Sequence, residues 1–490
     1  MQWNFDNSYA RDLVDFYAPW KATPVQAPQL LLFNTSLAER LGLGDLPAAE
    51  DRGQLASLFA GAELPQGAEP IALAYAGHQF GHFSPQLGDG RALLLGEHIA
   101  PDGKRFDIQL KGSGPTPFSR NGDGRSALGP ALREYLVSEA MAAMNVPTTR
   151  ALAVAKTGEK VFRRRTEPGA VMTRVAASHI RVGTFQYFAA HMGTDHVRRL
   201  ADYAIARHYP DAARAKNPYL ALLELVMDAQ IALVAKWVNL GFIHGVMNTD
   251  NVAISGETLD YGPCAFMDAY APGTVFSSID ANGRYAYGQQ PLICRWNMVQ
   301  FAQALAGVIV DVDEAGGLAA TNAMLETFPD RYAAAWLTGM RAKLGLGSAM
   351  DDDQGLANRL FEAMEGQNVD FTQFFRALAT APESGAEPLR ALFVDPTAID
   401  PWLAEWQARL ESDALPANQR RAAMDAVNPV YIPRNHLVEE ALAAAEADDM
   451  APFHTLLEAV TQPFTERAGM ERYAEPAPDS FGPYVTYCGT

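Results

Sequence analysis

Residues 244–262 read HGVMNTDNVAISGETLDYG. The opening segment HGVMNTDN is loop-like, and a short apolar run at residues 252–254 follows it. The chain then turns at Gly256 and reaches a second loop, Asp-Tyr-Gly, at residues 260–262. A loop, a short hairpin and another loop therefore follow one another, and the remaining chain is interpreted outward from this segment.

The spacing within the segment matches the metal-binding residues of kinase-type phosphoryl-transfer enzymes. Those enzymes hold the cations that clamp the nucleotide phosphates with an Asn on the catalytic loop and the Asp of an Asp-Phe-Gly segment. Asn251 and Asp260 fit these two roles. The kinase base, however, lies five residues before the Asn, and that position here is Val246, which cannot accept a proton. The alternatives are an inactive kinase or a chemistry that uses Asp250.

The composition is that of an ordinary globular protein. The chain has 490 residues, 48% of them hydrophobic, and a mean hydropathy of −0.10. It is long enough to bury a large core and to divide into two or more lobes. The net charge of −18 argues against a nucleic-acid partner, because binding a phosphate backbone requires a basic surface.

Neither a targeting segment nor a membrane span is expected. The chain does not open with a positive region followed by an apolar one, and no apolar run approaches about 20 residues. The three cysteines, Cys264, Cys294 and Cys488, are too few and too scattered for a disulfide framework or a zinc site. We expect a cytoplasmic protein with no membrane partner.

Residues 71–111 have the pattern of strands and tight turns. Gly88-Asp89-Gly90-Arg91 predicts a turn, because glycine adopts positive φ without penalty. Its backbone N–H groups and Arg91 suit phosphate oxygens, although ordinary hairpins share this pattern. Lys111 favours the nucleotide interpretation, because it ends the strand predicted at residues 105–111, where kinases carry a phosphate-holding lysine.

A helix is predicted at residues 126–145 from apolar residues at helical spacing. Active kinases pair their lysine with a glutamate on such a helix, and Glu134 and Glu139 are both candidates. Spacing alone does not choose between them. Asp123-Gly124, just before the helix, offers a polar group and a bare backbone to a ligand.

Two arginines lie in or just beyond an apolar strand. Arg174 interrupts the run at residues 169–176, and Arg181 follows seven residues later. Burying an unpaired arginine is costly, so a fixed anionic partner is expected. Phosphate is one such partner, and an acidic side chain of this protein or an edge-strand position is the alternative.

The second half is predicted to be mainly helical. A long amphipathic helix at residues 219–240 leads into the HGVMNTDN segment, as the helix before a kinase catalytic loop does. The tail from residue 466 is expected to drape over a lobe. Further helical periodicity lies at residues 295–345, 355–380, 398–425 and 435–448.

Together these segments closely resemble one family, the selenoprotein O family. The resemblance spans nearly the whole chain, and several of its motifs are long enough to make a chance match negligible. The shared motifs are YAGHQFG at residues 75–81, QLGDGRA at 86–92, QLKGSGPTPFSR at 109–120, DGR at 123–125, SEAM at 138–141, HGVMNTDN with DYGP at 244–263, and NPVYIPRNH at 428–436.

The resemblance implies an α+β, protein-kinase-like bilobal fold. A β-rich N-lobe at residues 61–182 would contain the glycine-rich hairpin, the Lys111 strand and one key helix. A larger helical C-lobe would occupy residues 183–440. An N-terminal extension at residues 1–60 would wrap a lobe, and a C-terminal helix and tail would occupy residues 441–490.

Members of the family look like kinases that lack the base, yet they bind ATP in a flipped orientation and transfer AMP to Ser, Thr or Tyr hydroxyls of other proteins. The resemblance therefore implies a protein adenylyltransferase, a nucleotidyltransferase that uses ATP with Mg²⁺ or Mn²⁺ and acts on protein substrates. We expect a monomer. The alternatives are a conventional γ-phosphate kinase, which Val246 disfavours, and a non-catalytic ATP-binding scaffold.

The resemblance also assigns roles to single residues. Asp250 would be the proton acceptor, Asn251 and Asp260 the metal ligands, and Glu134 the partner of Lys111. The γ-phosphate would point inward and leave the α-phosphate near Asp250. The absence of a base at Val246 would then not prevent the reaction. The residues implied to contact ATP are Gly88, Gly90, Arg91, Lys111, Asp123, Gly124, Arg174, Arg181 and Asp260.

One position departs from the family pattern. Many members carry a selenocysteine close to the C-terminus, where this chain has Cys488. A redox role through pairing with Cys264 is one alternative. A free thiol is the expectation in a cytosolic setting.

Overall fold

The computed structural model describes residues 1–44, 52–163 and 165–487. Its strands are β1 (Tyr17–Pro19), β2 (Gln29–Phe33), β3 (Ile71–Leu73), β4 (Gly77–Gln79), β5 (His82–Ser84), β6 (Ala92–Ile99), β7 (Arg105–Lys111), β8 (Ser126–Ala127), β9 (Arg150–Phe162), β10 (Thr166–Ala176), β11 (Phe242–Ile243) and β12 (Ala265–Phe266). The largest sheet is eight-stranded, in the order β1-β3-β6-β7-β10-β9-β2, with β8 beside β10. Two small sheets pair β4 with β5 and β11 with β12.

The register of the sheet brings Lys111 and Arg174 together. β6 and β7 pair so that Ala92 lies opposite Lys111, which sets the glycine-rich turn beside the end of β7. β7 and β10 pair so that Lys111 lies opposite Met172, and Arg174 opposite Gln109. Because cross-strand partners and residues two apart point to the same side, Lys111 and Arg174 share one face.

Helices dominate the chain after β10. Four helices precede β10 among the described residues, namely α1 (Ser8–Asp12), α2 (Thr35–Arg40), α3 (Arg52–Phe59) and α4 (Leu128–Ala143). Those that follow it are α5 (Val182–His191), α6 (Thr194–His208), α7 (Pro218–Leu240), α8 (Gln290–Val312), α9 (Gly317–Glu326), α10 (Phe328–Lys343), α11 (Asp353–Met364), α12 (Phe371–Ser384), α13 (Glu387–Arg390), α14 (Asp400–Glu411), α15 (Ala417–Asp425), α16 (Asn435–Glu446) and α17 (Ala451–Val460). The protein is therefore a mixed α and β structure with one principal sheet.

Helix α4 packs across the face of the sheet that carries Lys111. Its buried side chains Leu128, Leu132 and Met141 join Met172 of β10 in a hydrophobic core that continues through the helical region. A smaller core on the opposite face joins the sheet to α2 and α3. This packing places α4 where a polar side chain can meet Lys111.

The N-terminal segment, predicted to wrap a lobe, contributes both edge strands of the sheet. β1 pairs with β3, and β2 pairs with β9. Buried Glu97 of β6 holds the same segment by accepting the backbone N–H groups of Ser8 (2.8 Å) and Tyr9 (2.7 Å). The N-terminal segment is therefore an integral part of the sheet, through β1 and β2.

Two helical stretches among the described residues are long and apolar enough to cross a membrane, Pro218–Leu240 and Tyr287–Val312. The sequence-based expectation of no such run did not anticipate them. Of each apolar window, 56% is buried inside the protein, and α7 packs against α8 and α10. Since core helices of soluble proteins have the same composition, we interpret both as core helices.

Lys343, the last residue of α10, is buried in the helical region. Its Nζ donates to Oδ1 of Asn428 (2.8 Å) and lies 3.9 Å from the ring centre of Phe375. Burial lowers the pKa of Lys343 from 10.5 to about 7. The ammonium group is therefore only weakly favoured in the folded protein.

We expect Lys343 to make stability rise with pH between about 7 and 10.5. In this window the unfolded chain binds more protons than the folded protein, which favours unfolding. Raising the pH deprotonates the lysine of the unfolded chain as well and removes this effect. Lys343→Met should therefore raise the midpoint of thermal unfolding at pH 7, and the gain should shrink towards pH 10.5. Lys236→Met, at an exposed lysine of α7, is the control, and parallel pH profiles for both variants would contradict the assignment.

Candidate active site

Lys111, Glu134, Arg174 and Asp260 form one charge cluster. Nζ of Lys111 donates to Oε2 of Glu134 (2.5 Å) and to Oδ1 of Asp260 (2.5 Å). Nε of Arg174 donates to Oε1 of Glu134 (2.9 Å), and its Nη2 lies 3.5 Å from Oδ1 of Asp260. The anionic partner expected for Arg174 is therefore a carboxylate of the protein, which Lys111 shares.

The neighbouring cations favour the ionised forms of the two carboxylates in the cluster. Burial opposes ionisation of Glu134, but Arg174 and Lys111 hold its pKa below the usual value. Burial likewise acts against Asp260, whose pKa Lys111, Arg174 and Arg91 hold well below normal. Burial lowers the pKa of Lys111, against the attraction of Asp260 and Glu134. The ionised carboxylates therefore offset the charges of Arg174 and Lys111 within the cluster.

Asp250 lies on the loop after α7, beneath the β4–β5 hairpin. Its Oδ2 accepts from Nε2 of Gln79 (3.3 Å), whereas its Oδ1 is buried and has no hydrogen-bond partner among the described residues. Position 77 requires glycine, because a Cβ there would overlap the Asp250 carboxylate. Burial, opposed by Arg181, raises the pKa of Asp250 to about 6, which suits a group that accepts a proton near neutral pH.

Arg181, just before α5, links the Asp250 loop to the sheet. Its Nη1 donates to the backbone carbonyl oxygen of Asp250 (3.0 Å). Its guanidinium lies 4.2 Å from the ring centre of Tyr75, and its Nη2 lies 3.7 Å from Oδ1 of Asp89. A buried positive charge thus stands between Asp250 and the glycine-rich turn.

Asn251 and Asp260 provide oxygen donors of the kind that Mg²⁺ and Mn²⁺ prefer. The amide nitrogen of Asn251 donates to the carbonyl oxygen of Val246 (3.1 Å), which orients the side chain. The partnerless Oδ1 of Asp250 also suits a nearby cation, so these residues fit such a metal. In the described ranges, no group of three or more His, Cys, Asp or Glu side chains is placed to hold a metal by itself.

Gly88 and Gly90 lie in the turn before β6 and pack against Phe118. Gly88 has φ of +86°, and a Cβ there would overlap the Phe118 ring. A Cβ on Gly90 would lie 2.8 Å from the carbonyl oxygen of Phe118. Packing against Phe118 therefore requires glycine at both positions, independently of any contact with a ligand.

Asp123 and Gly124 lie apart from the charge cluster. The Asp123 side chain is 47% exposed and pairs with Nη1 of Arg163 (2.8 Å). Gly124 has φ of +65° and packs against the backbone of Gly114. In the part of the chain that the structure describes, no hydrogen bond or ion pair joins Asp123 to Lys111. Arg163 and Lys111 do line the same cavity.

That cavity has a volume of about 1100 Å³ and lies between α4, the β9–β10 hairpin, α16 and the tail. Its lining combines the charged side chains of Arg91, Lys111 and Glu134 with the rings of Phe162 and Tyr261. Cavities of this size with a mixed lining commonly hold small-molecule ligands. Arg91 and Lys111 therefore face both the cluster and this open space.

Sequence reasoning assigned no role to Tyr75, Gln79 or Arg163, although each contacts a predicted site residue. Tyr75 and Gln79 belong to YAGHQFG. The two glycines of this motif indicate that its backbone lies close to another part of the protein, and this was the one feature that could have identified the segment. Their partners Arg181 and Asp250 lie more than a hundred residues away in sequence. No local pattern identifies such long-range partners.

Cys264 is buried, and burial raises the pKa of its thiol to about 12. The tail reaches this region, because Oγ1 of Thr486 donates to the carbonyl oxygen of Pro263 (2.9 Å). Cys488 lies outside the described residues. The expected free thiol at Cys488 therefore stays a prediction, and its pairing with Cys264 stays the alternative.

The chain matches the family model described as "Protein adenylyltransferase SelO" over residues 1–461. It is 62% identical over 490 residues to the protein of Sphingopyxis alaskensis named "Protein nucleotidyltransferase YdiU", with 100% of each chain covered. Proteins of the same name are 59% identical in Cereibacter sphaeroides, with 100% of each chain covered, and 55% identical in Chromobacterium violaceum, with 97% of this chain and 99% of that relative covered. These matches confirm the predicted family and enzyme class, a nucleotidyltransferase. The chain belongs to the SelO family of protein adenylyltransferases.

Proposed function

We propose that the chain transfers AMP from ATP to Ser, Thr or Tyr hydroxyls of other proteins and releases pyrophosphate. Family membership supports the reaction class. The observation that carries the proposal is the placement of the carboxylates. The kinase base position holds buried, apolar Val246, whereas Asp250 has a buried Oδ1 without a partner among the described residues. A hydroxyl bound at Asp250 meets a proton acceptor, and one bound at Val246 does not.

We further propose that ATP binds with its γ-phosphate towards Arg174 and Arg181 and its adenosine towards the cavity. Both arginines are buried, so their charges act strongly on a phosphate chain. The cavity of about 1100 Å³ is large enough for a nucleoside. The other proposed contacts to ATP are Gly88, Gly90, Arg91, Lys111, Asp123, Gly124 and Asp260.

In the proposed step, the acceptor oxygen forms a bond to the α-phosphorus. The bond from that phosphorus to the oxygen bridging to the β-phosphate breaks, and pyrophosphate leaves with its electron pair. Asp250 takes the hydroxyl proton. Lys111, Arg174 and Arg181 stabilise the charge that develops on the phosphates, and Glu134 holds Lys111 in position (2.5 Å).

Asn251 and Asp260 are the residues we propose to hold Mg²⁺ or Mn²⁺, with phosphate oxygens and water as further ligands. When bound, the cation neutralises phosphate charge. Asp260 adopts a left-handed backbone conformation with φ of +67°. Such a conformation costs on the order of 1 kcal/mol for a residue other than glycine, which supports a functional reason for this side chain direction.

We propose that the sheet with α4 and the helical region correspond to the two lobes of a kinase-like fold, at residues 61–182 and 183–440. An extension at residues 1–60 and a C-terminal helix and tail at residues 441–490 complete the chain. The ion pair between Glu134 of α4 and Lys111 of β7 and the position of α7 just before the Asp250 loop support this arrangement. We also propose a monomeric, cytoplasmic protein, and the charge of −18 supports protein acceptors over nucleic acid.

ATP labelled on the α-phosphate should leave its label on an acceptor protein, whereas γ-label should appear only in pyrophosphate. Parallel reactions with the two labels, separated by gel and by chromatography of the small products, measure this. A reaction with EDTA controls for metal dependence. Protein carrying γ-label would replace the proposal with a conventional kinase, and ATP binding without either product would replace it with a scaffold.

A further inference from the structure

The segment before α8 ends beside the Asp250 loop and is held there by hydrogen bonds. The Asp280 carboxylate accepts the backbone N–H groups of Arg284 (2.9 Å) and Tyr285 (2.8 Å). The Tyr285 hydroxyl donates to Oδ1 of Asn248 (2.6 Å), and the N–H of Phe80 donates to the same oxygen (3.1 Å). Residues 280–285, the β4–β5 hairpin and the Asp250 loop therefore form one connected unit.

The Arg284 side chain has an incomplete set of partners in this unit. Its guanidinium lies 4.7 Å from the ring centre of Trp296. Its Nε and Nη2 are buried without a hydrogen-bond partner, and it is the one arginine of the described residues with two such nitrogens. The nearby carboxylate of Asp280 is already engaged by backbone N–H groups.

An anionic group of another molecule would satisfy the two N–H groups of Arg284 that have no partner. Unsatisfied buried donors are costly, and charged ones more so. The lack of a carboxylate partner is local to Arg284, because the whole chain has more acidic residues (57 Asp and Glu) than basic ones (39 Lys and Arg). Burial and, less strongly, the charge of Arg284 lower the pKa of His78, so this neighbouring ring tends to stay neutral. The planar fork of an arginine matches the two oxygens of a carboxylate.

Gly81 leaves the guanidinium without a covering side chain. A Cβ at this position would lie 3.6 Å from Cζ of Arg284, and Gly81 itself is exposed. The same hairpin reaches Asp250 through Gln79 (3.3 Å). The β4–β5 hairpin therefore contacts both Asp250 and Arg284.

We propose that Arg284 is a specificity-determining residue that binds a carboxylate side chain of the acceptor protein, close in sequence to the hydroxyl that receives AMP. The carboxylate supplies the hydrogen bonds that Nε and Nη2 lack, and Trp296 holds the guanidinium plane. The inference rests on the proposed function and adds its substrate class, hydroxyl residues flanked by Asp or Glu.

The test compares three serine peptides that differ only in Glu, Gln or Lys beside the serine. Their affinities for the whole protein with a non-hydrolysable ATP analogue are measured by fluorescence anisotropy, and α-label transfer is measured in parallel. The wild type should bind the Glu peptide roughly ten-fold more tightly than the Gln peptide. Arg284→Gln should remove this preference, and Arg284→Glu should favour the Lys peptide. Arg214→Glu, an equal charge change at an 85% exposed arginine, should leave the preference unchanged.

Equal binding of the three peptides by the wild type would overturn the role of Arg284, as would an unchanged preference in a folded Arg284→Gln protein. The two proposals remain distinguishable. A Glu preference in binding without transfer of α-label would count against the adenylyltransferase step while supporting Arg284. Transfer of α-label to all three peptides without any preference would support the adenylyltransferase step and count against the role of Arg284.

Discussion

Asp250→Ala should lower the rate of AMP transfer by about 10²–10⁴-fold, the contribution typical of a positioned general base. Asp250 is a buried carboxylate whose Oδ1 has no hydrogen-bond partner among the described residues and whose pKa burial raises to about 6, and alanine leaves the hydroxyl proton without an acceptor. Nucleotide affinity should change far less, because Lys111 and Arg174 lie in a separate cluster. Initial rates of α-label incorporation and calorimetric titration with a non-hydrolysable ATP analogue measure the two quantities.

Glu257→Gln is the matched control for this experiment. Glu257 is a nearby carboxylate whose pKa burial raises to about 7, and it accepts the backbone N–H of Ala177 (2.9 Å) and the hydroxyl of Ser255 (3.0 Å). It has no place in the proposed step, so its variant should retain most of the activity. An Asp250→Ala enzyme that transfers AMP at nearly the normal rate would rule out Asp250 as the proton acceptor.

Arg434→Met should destabilise the protein by about 3–5 kcal/mol, because it leaves the buried carboxylate of Asp370 and the partly buried carboxylate of Asp268 without their charged partner. The fully buried guanidinium donates through Nη1 to Oδ1 of Asp268 (2.8 Å) and to Oδ2 of Asp370 (2.5 Å). Its Nη2 donates to Oδ1 of Asp370 (3.0 Å) and to the carbonyl oxygen of Ala474 (3.1 Å). One side chain of the NPVYIPRNH motif thus joins the segment after β12, the start of α12 and the tail. Urea unfolding followed by circular dichroism measures the loss.

Arg421→Met provides the comparison for Arg434→Met. Arg421 pairs with Glu383, and both side chains are at least half exposed, at 50% and 58%. Exposed pairs contribute little to stability, so this variant should unfold close to the wild type. Arg434→Lys should recover only part of the loss, because an ammonium group cannot make the forked contact to Asp370. A loss for Arg434→Met no larger than that of the control would show that the buried network is dispensable.

Elements near the site follow closely from local sequence pattern. The strand predicted at residues 105–111 is observed as Arg105–Lys111, and the helix predicted at 219–240 as Pro218–Leu240. Apolar periodicity is a local property, so it identifies such elements without tertiary information. The helix predicted from residue 126 was wrong at its start, because Ser126 and Ala127 instead pair with β10 as β8. That pairing depends on a strand more than forty residues away, which no local pattern contains.

The sequence alone was sufficient to predict Asp250, Asn251 and Asp260 as candidate site residues and to show that Val246 stands where a kinase has its base, because all four belong to one continuous segment with diagnostic spacing. Spacing along the chain left the two glutamates of α4 open and the resemblance implied Glu134, but only the tertiary structure shows which contact each of them makes. Glu134 meets Lys111 (2.5 Å), whereas Glu139 pairs with Arg150 (2.6 Å). The physical reason is that the rotation of α4 against the sheet is set by the packing of its apolar side chains on β9 and β10. That same packing makes Arg174 and Lys111 share one carboxylate, an arrangement that spacing along the chain does not contain.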